Sequence, residues 1–151
     1  MTAPGPRAVL VVVSYGSAAL LRANLGTIEV PEEISVVVVD CFSTPAEREA
    51  VATLAAERGW RAVLLAHNRG FGGGVNAGAA LAEELGAEVV ATLNPDATTD
   101  AASLRVLVRA AAGRDALVSP RILTPDGTPW FTGADLYLDD GSCAGVRHRD
   151  R

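Results

Sequence analysis

Four short apolar runs recur along the chain, and each is followed by a stretch with helical spacing of its apolar residues. The runs are Ala8–Val13, Ser35–Val39, Arg61–Ala66 and Glu88–Leu93. Most are rich in valine and apolar without alternation, which is typical of strands that are covered on both faces. The helices between and after them are predicted over Ser17–Thr27, Pro45–Arg58, Gly73–Leu85 and Asp100–Ala112. The alternation predicts βαβ units, and therefore an α/β fold with a mostly parallel sheet and helices on both faces.

Capping residues support these helices. Ser43 or Thr44 stands directly before Pro45 and is a good start for the second helix, and Asp100 is placed to cap the last one. Glycines stand where three of the helices should end: Gly59, Gly86 and Gly113.

The pattern changes after the last predicted helix. Asp115–Val118 is expected to add a further strand. Pro125-Asp126-Gly127 and Asp139-Asp140-Gly141 are turn signals between short apolar pieces, and they predict a hairpin or an edge excursion. The tail, residues 146–151, is polar.

Composition narrows the function. With 151 residues, 49% of them hydrophobic and 21% charged, the chain has the size and balance of one globular domain. A net charge of −5 without a basic run argues against a general nucleic-acid binder. All 13 basic residues are arginines, and the lack of lysine excludes the usual P-loop and any Schiff-base mechanism.

Cysteine and histidine are scarce. Cys41, Cys143, His67 and His148 form neither a disulfide framework nor a zinc motif, which favours a reducing compartment. The first apolar run is too short for a signal peptide, and no stretch approaches a membrane span. These features predict a cytoplasmic protein and leave open a peripheral position at the inner face of the membrane.

The residues that follow the four apolar runs are polar or glycine-rich. In open α/β sheets, ligands bind outside the carboxyl ends of the strands, so these residues should line one cleft. The four segments are Ser14-Tyr15-Gly16, Asp40–Ser43, His67–Gly74 and Asn94-Pro95-Asp96.

Three of these segments have more than one interpretation. The cluster Gly70–Gly74 resembles a dinucleotide fingerprint only loosely, because it follows the third strand and not the first. It can be a tightly packed helix start, and its glycines also let backbone amides approach a diphosphate. Asp96 can be a turn or capping residue or a ligand of a divalent cation. Asp40 can cap the following loop or accept hydrogen bonds from a base or ribose.

The order and spacing of the motifs resemble family 2 glycosyltransferases, most closely the bacterial rhamnosyltransferase-like branch. The resemblance covers nearly the whole chain, including Ser119-Pro120-Arg121 and Asp126-Gly127. Four motifs carry it: Val11–Tyr15, Val38–Thr44, Asn68–Gly78 and Leu93–Asp96.

The resemblance implies a Rossmann-like GT-A fold that binds a nucleotide diphosphate sugar, such as a dTDP- or UDP-sugar, together with Mg²⁺ or Mn²⁺. It implies metal-dependent, inverting transfer to a glycan or lipid-linked acceptor of the cell-wall type. Asp96 would be the metal ligand. By motif position, the nucleotide sugar would be bound by Ser14, Tyr15, Asp40, Asn68, Arg69, Gly73, Asn76 and Asn94.

The sequence also departs from the family pattern. Cys41 and Phe42 replace small polar residues after Asp40, and Pro45 stands where an acid is common. The acceptor-side Glu-Asp pair that supplies the family's catalytic base is not found, and Asp139-Asp140-Gly141 is predicted to be a turn.

We therefore expect one GT-A-like domain over residues 1–151 that lacks its C-terminal acceptor part. Such a chain should transfer no sugar by itself, and its uncovered apolar face should favour self-association. The alternatives are a non-catalytic nucleotide-sugar-binding domain, an inactive fragment of a longer enzyme, and an unrelated α/β domain.

Overall fold

A four-stranded parallel sheet organises Met1–Asp115, the first of two compact units into which the chain divides. The computed structural model describes residues 7–145, so the predicted polar tail lies outside the described residues. The strand order β3-β2-β1-β4 confirms the predicted α/β architecture. The strands are β1 (Ala8–Ser14), β2 (Ile34–Asp40), β3 (Arg61–Leu64) and β4 (Val89–Leu93).

Four helices alternate with these strands: α1 (Ala18–Ala23), α2 (Pro45–Arg58), α3 (Gly70–Glu84) and α4 (Ala101–Ala111). None of the helices in the described part of the chain is long and apolar enough to cross a membrane.

The predicted boundaries of α2 and α4 are confirmed to within one residue, whereas α3 begins at Gly70, three residues before its predicted start. Thr44 caps α2 by accepting from the Glu47 N–H at 3.2 Å, and Asp100 caps α4 through the Ser103 N–H at 2.6 Å. The predicted first helix is instead broken at Asn24, and a 3₁₀ turn over Leu25–Thr27 follows. Asn, Gly and Thr are weak helix formers, which explains the break. The three predicted C-terminal glycines all have positive φ: Gly59, Gly86 and Gly113.

The core has two layers, one on each face of the sheet. On one face, the alternate residues Leu10 and Val12 of β1 pack with residues of α1, α2 and α4. On the other face, Val11 and Val13 pack with α3. The strict alternation along β1 follows from the period of two residues in a strand.

Helix α3 packs very close to the sheet because it presents glycines to it. A Cβ on Gly78 would lie 2.4 Å from Val11 Cγ1, and one on Gly74 would lie 2.6 Å from Val13 Cγ1. Neither side chain fits without a shift of the neighbouring valine. These glycines fix the height of α3 above β1.

The two outer strands are less covered than the two inner ones. β1 is buried along its whole length, but β3 is largely exposed and Val90 of β4 is also exposed. The expectation of strands covered on both faces, which rested on the three valine-rich runs, is therefore wrong for β4, because a strand at the edge of the sheet lacks neighbours on one side.

The second unit, Ala116–Arg151, contains two short antiparallel pairs in its described part. The strands β5 (Ile122–Leu123) and β6 (Pro129–Phe131) flank the predicted turn at Pro125-Asp126-Gly127. The strands β7 (Ala134–Leu136) and β8 (Cys143–Gly145) flank the predicted turn at Asp139-Asp140-Gly141.

The predicted strand over Asp115–Val118 is wrong. This segment pairs with no strand of the described chain, and Leu117 is 99% exposed. A short apolar run becomes a strand only where a partner satisfies its backbone, and this run has none.

Candidate functional site

Two fully buried polar residues, Ser14 and Asp40, end neighbouring strands at the carboxyl edge of the sheet. They are paired in the register of β1 and β2, and the Cys41 N–H donates to the Ser14 carbonyl at 2.8 Å. Ser14 Oγ and Asp40 Oδ1 find no hydrogen-bond partner among the described residues. A buried polar atom left unpaired costs about 1–3 kcal/mol. Two such atoms on adjacent strand ends mark this edge as the candidate site.

The other oxygen of Asp40 is held by Arg48 of α2. Arg48 Nε donates to Asp40 Oδ2 at 3.1 Å, and a terminal nitrogen of the same guanidinium donates to the Leu65 carbonyl. The guanidinium also lies over the Phe42 ring, 4.6 Å from its centroid. The buried carboxylate is thus paired with a cation on one side, as a buried charge requires.

The start of α3 lies beside the end of β2. The thiol of Cys41 is 3.7 Å from the Gly70 carbonyl and donates to it, and burial raises the pKa of that thiol. Asn68 Oδ1 accepts from the Gly70 N–H at 2.8 Å, so the Asn68 side chain shapes the turn into the helix. The helix has no side-chain cap from Arg69 and no acid in its first turn, so its N-terminus keeps its partial positive charge.

Gly73 lies against Arg69, since a Cβ on Gly73 would be 2.7 Å from Arg69 Cβ. Both Asn68 and Arg69 are exposed at this helix start. Asn76 is also exposed, but it stands six residues into α3, roughly 9 Å along the helix axis from Gly70. Of the predicted residues on α3, Asn76 is therefore the one farthest from the strand ends.

The end of β4 supplies the third part of the edge. Leu93 pairs with Val12 of β1 and is the last residue of β4, so Asn94 and Asp96 follow at the same edge of the sheet at which Ser14 ends β1. Both side chains are exposed. Asn24 Nδ2 donates to the Pro95 carbonyl at 2.9 Å and ties this loop to the end of α1.

Tyr15 completes the edge between β1 and α1. Its side chain is 59% exposed, although Ser14 before it is fully buried. Ser17 Oγ donates to the Tyr15 carbonyl at 3.0 Å and fixes the backbone of this turn. The exposed Tyr15 side chain, directly after the buried Ser14 in the chain, offers an aromatic surface at this edge.

The sequence did not assign three residues that the structure adds to this edge. Asn24 gave no signal, because its contact is with a loop 71 positions away. Ser43, whose Oγ is a third unpartnered buried atom, was included in the polar segment after β2 and considered as a helix start, but it was not assigned as a site residue. Arg48 did carry a signal: it is a cation in the first turn of α2, where the helix dipole disfavours positive charge.

The donor atoms at the end of β4 fit a hard divalent cation only in part. Among residues 7–145, no group of three or more His, Cys, Asp or Glu side chains could hold a metal ion. Asp96 and Asn94 offer one carboxylate and one amide, and both are exposed oxygen donors of the kind that Mg²⁺ and Mn²⁺ accept. Such a pair suits an ion that takes its remaining ligands from a diphosphate and water.

A cavity of about 330 Å³ lies away from these strand ends, before the start of β2. Its lining includes Glu29, Glu32 and Glu33 against the single cation Arg105. This acidic lining would repel a diphosphate. The unpartnered polar atoms and the strand ends therefore place the candidate site at the carboxyl edge and not in this cavity.

Solved structures similar to this chain are glycosyltransferases. One is mannosyltransferase PcManGT from Pyrobaculum calidifontis in complex with GDP-Man and Mn²⁺, with a TM-score of 0.57 and 24% identity. The match covers 70% of this chain and 32% of that one. Another is S. aureus TarS 1–349 in complex with UDP-GlcNAc, with a TM-score of 0.52, 20% identity, and coverage of 68% and 30%.

This chain spans about a third of the length of these two structures. The likeness shows the fold, which is the predicted GT-A fold. No curated protein matches the chain. The rhamnosyltransferase-like branch stays a prediction.

The family model described as "Glycosyl transferase family 2" matches residues 9–142. The match includes all four motifs and every predicted site residue from Ser14 to Asp96. It rules out the alternative of an unrelated α/β domain. The chain belongs to glycosyl transferase family 2.

Proposed function

We propose that this chain binds the nucleoside diphosphate part of a sugar donor at the carboxyl edge of its parallel sheet. The chain would serve as the donor-binding part of a metal-dependent, inverting glycosyltransferase. The bound sugar would then be transferred to a hydroxyl group of a glycan or lipid-linked acceptor.

The observation that carries the proposal is the pair of unpartnered buried oxygens, Ser14 Oγ and Asp40 Oδ1. One is a hydroxyl, which can donate or accept, and the other is a carboxylate oxygen, which can only accept. A uracil or thymine ring presents an N–H beside a carbonyl oxygen. It can therefore satisfy both protein atoms at once, while its flat face rests on the exposed Tyr15 ring.

The diphosphate would lie at the start of α3. The N-terminus of this helix has no side-chain cap from Arg69, and its glycine-rich start over Gly70–Gly74 would present the backbone N–H groups after Gly70 to an anion. The exposed Arg69 adds a positive charge at the same place. Asn68 is partly committed to the Gly70 N–H, so its amide nitrogen is the atom left for the nucleotide.

The divalent cation would be held by Asp96, with Asn94 beside it, and by the phosphate oxygens. When bound, it would stabilise the negative charge that develops on the departing diphosphate. The similar mannosyltransferase structure, in complex with GDP-Man and Mn²⁺, supports this proposal. The similar TarS structures in complex with UDP and UDP-GlcNAc support a nucleoside diphosphate as the ligand.

The test is isothermal titration calorimetry with UDP, dTDP, GDP and NAD, each with and without Mn²⁺. We expect UDP or dTDP to bind, with an affinity that rises when Mn²⁺ is added. NAD should give no heat. Binding of NAD alone, without binding of any nucleoside diphosphate, would exclude the proposed function.

A further inference from the structure

Arg48 stands in an unfavourable place unless it has a specific task. It lies in the first turn of α2, where the helix dipole disfavours a cation, and its side chain is 28% exposed. It gains two partners there, Asp40 Oδ2 at 3.1 Å and the Leu65 carbonyl. These two acceptors belong to the ends of neighbouring strands, so the guanidinium spans β2 and the residue after β3.

Phe42 holds this guanidinium in position. Its φ of +49° is the only positive value for a non-glycine residue in the described chain. This region is unfavourable for a bulky side chain. The conformation places the Phe42 ring 4.6 Å from the Arg48 guanidinium carbon, which is within the range of a cation–π contact. The guanidinium is thus fixed by a carboxylate, a carbonyl and an aromatic face.

We propose that Arg48 is a positioning residue that makes Asp40 selective for the nucleotide base. It occupies Oδ2 and thereby leaves Oδ1, which has no partner in the described chain, as the single acceptor offered to the ligand. This inference rests on the proposed nucleotide binding and attributes to Arg48 the preference for bases that present one N–H, namely uracil and thymine.

The hydrogen-bonding edges of the bases explain the expected preference. Uracil and thymine carry a proton on N3 and can donate it to Oδ1. Cytosine has the same size but an unprotonated N3, which would face the carboxylate oxygen without a hydrogen. Guanine presents two adjacent N–H groups, which suit a carboxylate with both oxygens free, and Arg48 has taken one of them.

A purely structural ion pair would behave differently. If Arg48 only neutralised a buried charge, its loss would weaken the fold and lower the affinity for every nucleotide by the same factor. A positioning role changes the ratio of affinities between two bases. The ratio of the UDP and CDP dissociation constants is therefore the quantity to measure, because the two ligands share ribose and diphosphate.

The first experiment measures this ratio by calorimetry in Mn²⁺ for the wild-type chain, Arg48→Ala and Arg48→Lys. We expect the wild-type chain to prefer UDP by at least about tenfold. Arg48→Ala should reduce the preference to about twofold or less, because the carboxylate can then rotate. Arg48→Lys keeps the charge but not the planar fork, so it should keep only part of the preference.

The matched control is Arg22→Ala. Arg22 pairs with Glu57 at 3.1 Å, and both side chains are about half exposed. Its removal deletes an arginine and an ion pair without touching the strand ends, so the UDP-to-CDP ratio should stay at the wild-type value. Thermal unfolding of each variant shows whether it is folded. If Arg48→Ala does not fold, the ratio measured for Arg48→Lys decides the test.

The second experiment uses Asp40→Asn. Because Arg48 only donates, it should bind the oxygen of the new amide and turn the NH₂ group toward the ligand. The base preference should then reverse, since the NH₂ group can donate to the unprotonated N3 of cytosine. In the double variant Asp40→Asn/Arg48→Ala the amide is free to turn, and the preference should disappear.

The outcomes separate the two proposals. If the wild-type chain binds UDP but Arg48→Ala and Arg48→Lys both keep the wild-type UDP-to-CDP ratio, Arg48 is a structural residue and the inference is wrong. Equal affinity of the wild-type chain for UDP and CDP would also overturn it while leaving nucleotide binding intact. If the wild-type chain binds no nucleoside diphosphate, the proposed function fails and the inference fails with it.

Discussion

Asn24 and Pro95 are joined by a hydrogen bond of 2.9 Å from the Asn24 side-chain amide to the Pro95 carbonyl. The bond links the residue that ends α1 to the loop between Asn94 and Asp96. Asn24 is also the residue at which the predicted first helix is broken. The loop that carries the proposed metal ligand is thus tied to the end of α1.

Asn24→Ala should loosen this loop and weaken Mn²⁺-dependent UDP binding by about twofold to tenfold, the equivalent of one net hydrogen bond. Calorimetry with and without Mn²⁺ measures the effect. Thr27→Ala is the control, because Thr27 Oγ1 donates to the Asn24 carbonyl at 2.8 Å within the same turn. If both variants bind UDP equally well in Mn²⁺, the link to Pro95 does not matter for the loop.

Ser14→Ala should separate stability from binding. Because Ser14 Oγ has no partner in the described chain, its removal should leave the free energy of unfolding unchanged or raise it by about 1 kcal/mol. The same change should weaken UDP binding by about twofold to tenfold, because the hydroxyl is proposed to meet the base.

Urea denaturation and calorimetry measure the two quantities for Ser14→Ala. Ser35→Ala is the control, since Ser35 is exposed near the other end of β2. A loss of stability in Ser14→Ala without a loss of affinity would show that the hydroxyl is structural.

Asp96→Ala should remove the Mn²⁺-dependent part of UDP affinity and leave the Mn²⁺-independent part. The side chain is exposed at the end of β4, so the variant should fold normally. Calorimetry at saturating Mn²⁺ is the measurement. Asp115→Ala, at another exposed acid, should keep the full response, and an unchanged response in Asp96→Ala would mean that Asp96 is only a turn residue.

Gly78→Ala should destabilise the protein by about 1–3 kcal/mol, as overpacking of a tight core does. The added Cβ would lie 2.4 Å from Val11 Cγ1 and 3.1 Å from Val39 Cγ2. Gly72→Ala in the same helix is the matched control, because its Cβ would meet nothing within 4 Å. Urea denaturation should show a clear loss for Gly78→Ala and no loss for Gly72→Ala.

Asp100 should make the stability of the protein depend on pH in the acid range. The hydrogen bond that the Asp100 carboxylate accepts from the Ser103 N–H lowers the pKa of that carboxyl group below its ordinary value. A carboxyl group whose pKa is lower in the folded than in the unfolded protein stabilises the fold. This contribution is complete above the pKa of the unfolded state, about 3.9, and is lost as the pH falls through the pKa of the folded state.

Asp100→Asn keeps a capping oxygen but cannot titrate. The difference in free energy of unfolding between the wild-type chain and Asp100→Asn should be constant above pH of about 5 and shift against the wild-type chain as pH falls further. Denaturation curves at a series of pH values measure it. A difference that does not change with pH would show that the charge of the cap is unimportant.

The sequence by itself determined the four strands, most of the helix boundaries and the location of the polar segments. Valine-rich runs, a capping Thr44 and Asp100, and glycines after three helices are local signals that need no partner elsewhere in the chain. The motifs also predicted the family. The cluster Gly70–Gly74 was predicted to contact a diphosphate or to pack tightly, and Gly74 does pack against β1. The equally close packing of Gly78 was not predicted.

Only the tertiary structure decided which polar atoms meet at the edge of the sheet. The order β3-β2-β1-β4 sets Ser14 beside Asp40, and the fold brings Arg48 to Asp40 and Asn24 to Pro95. It also exposed β3 and Val90 and left Asp115–Val118 without a partner strand within residues 7–145. The periodic patterns that predict helices and strands involve only residues that are close in sequence. Hydrogen-bond partners and burial depend instead on residues that are distant in sequence. Pairing between such residues exists only once the sheet has formed.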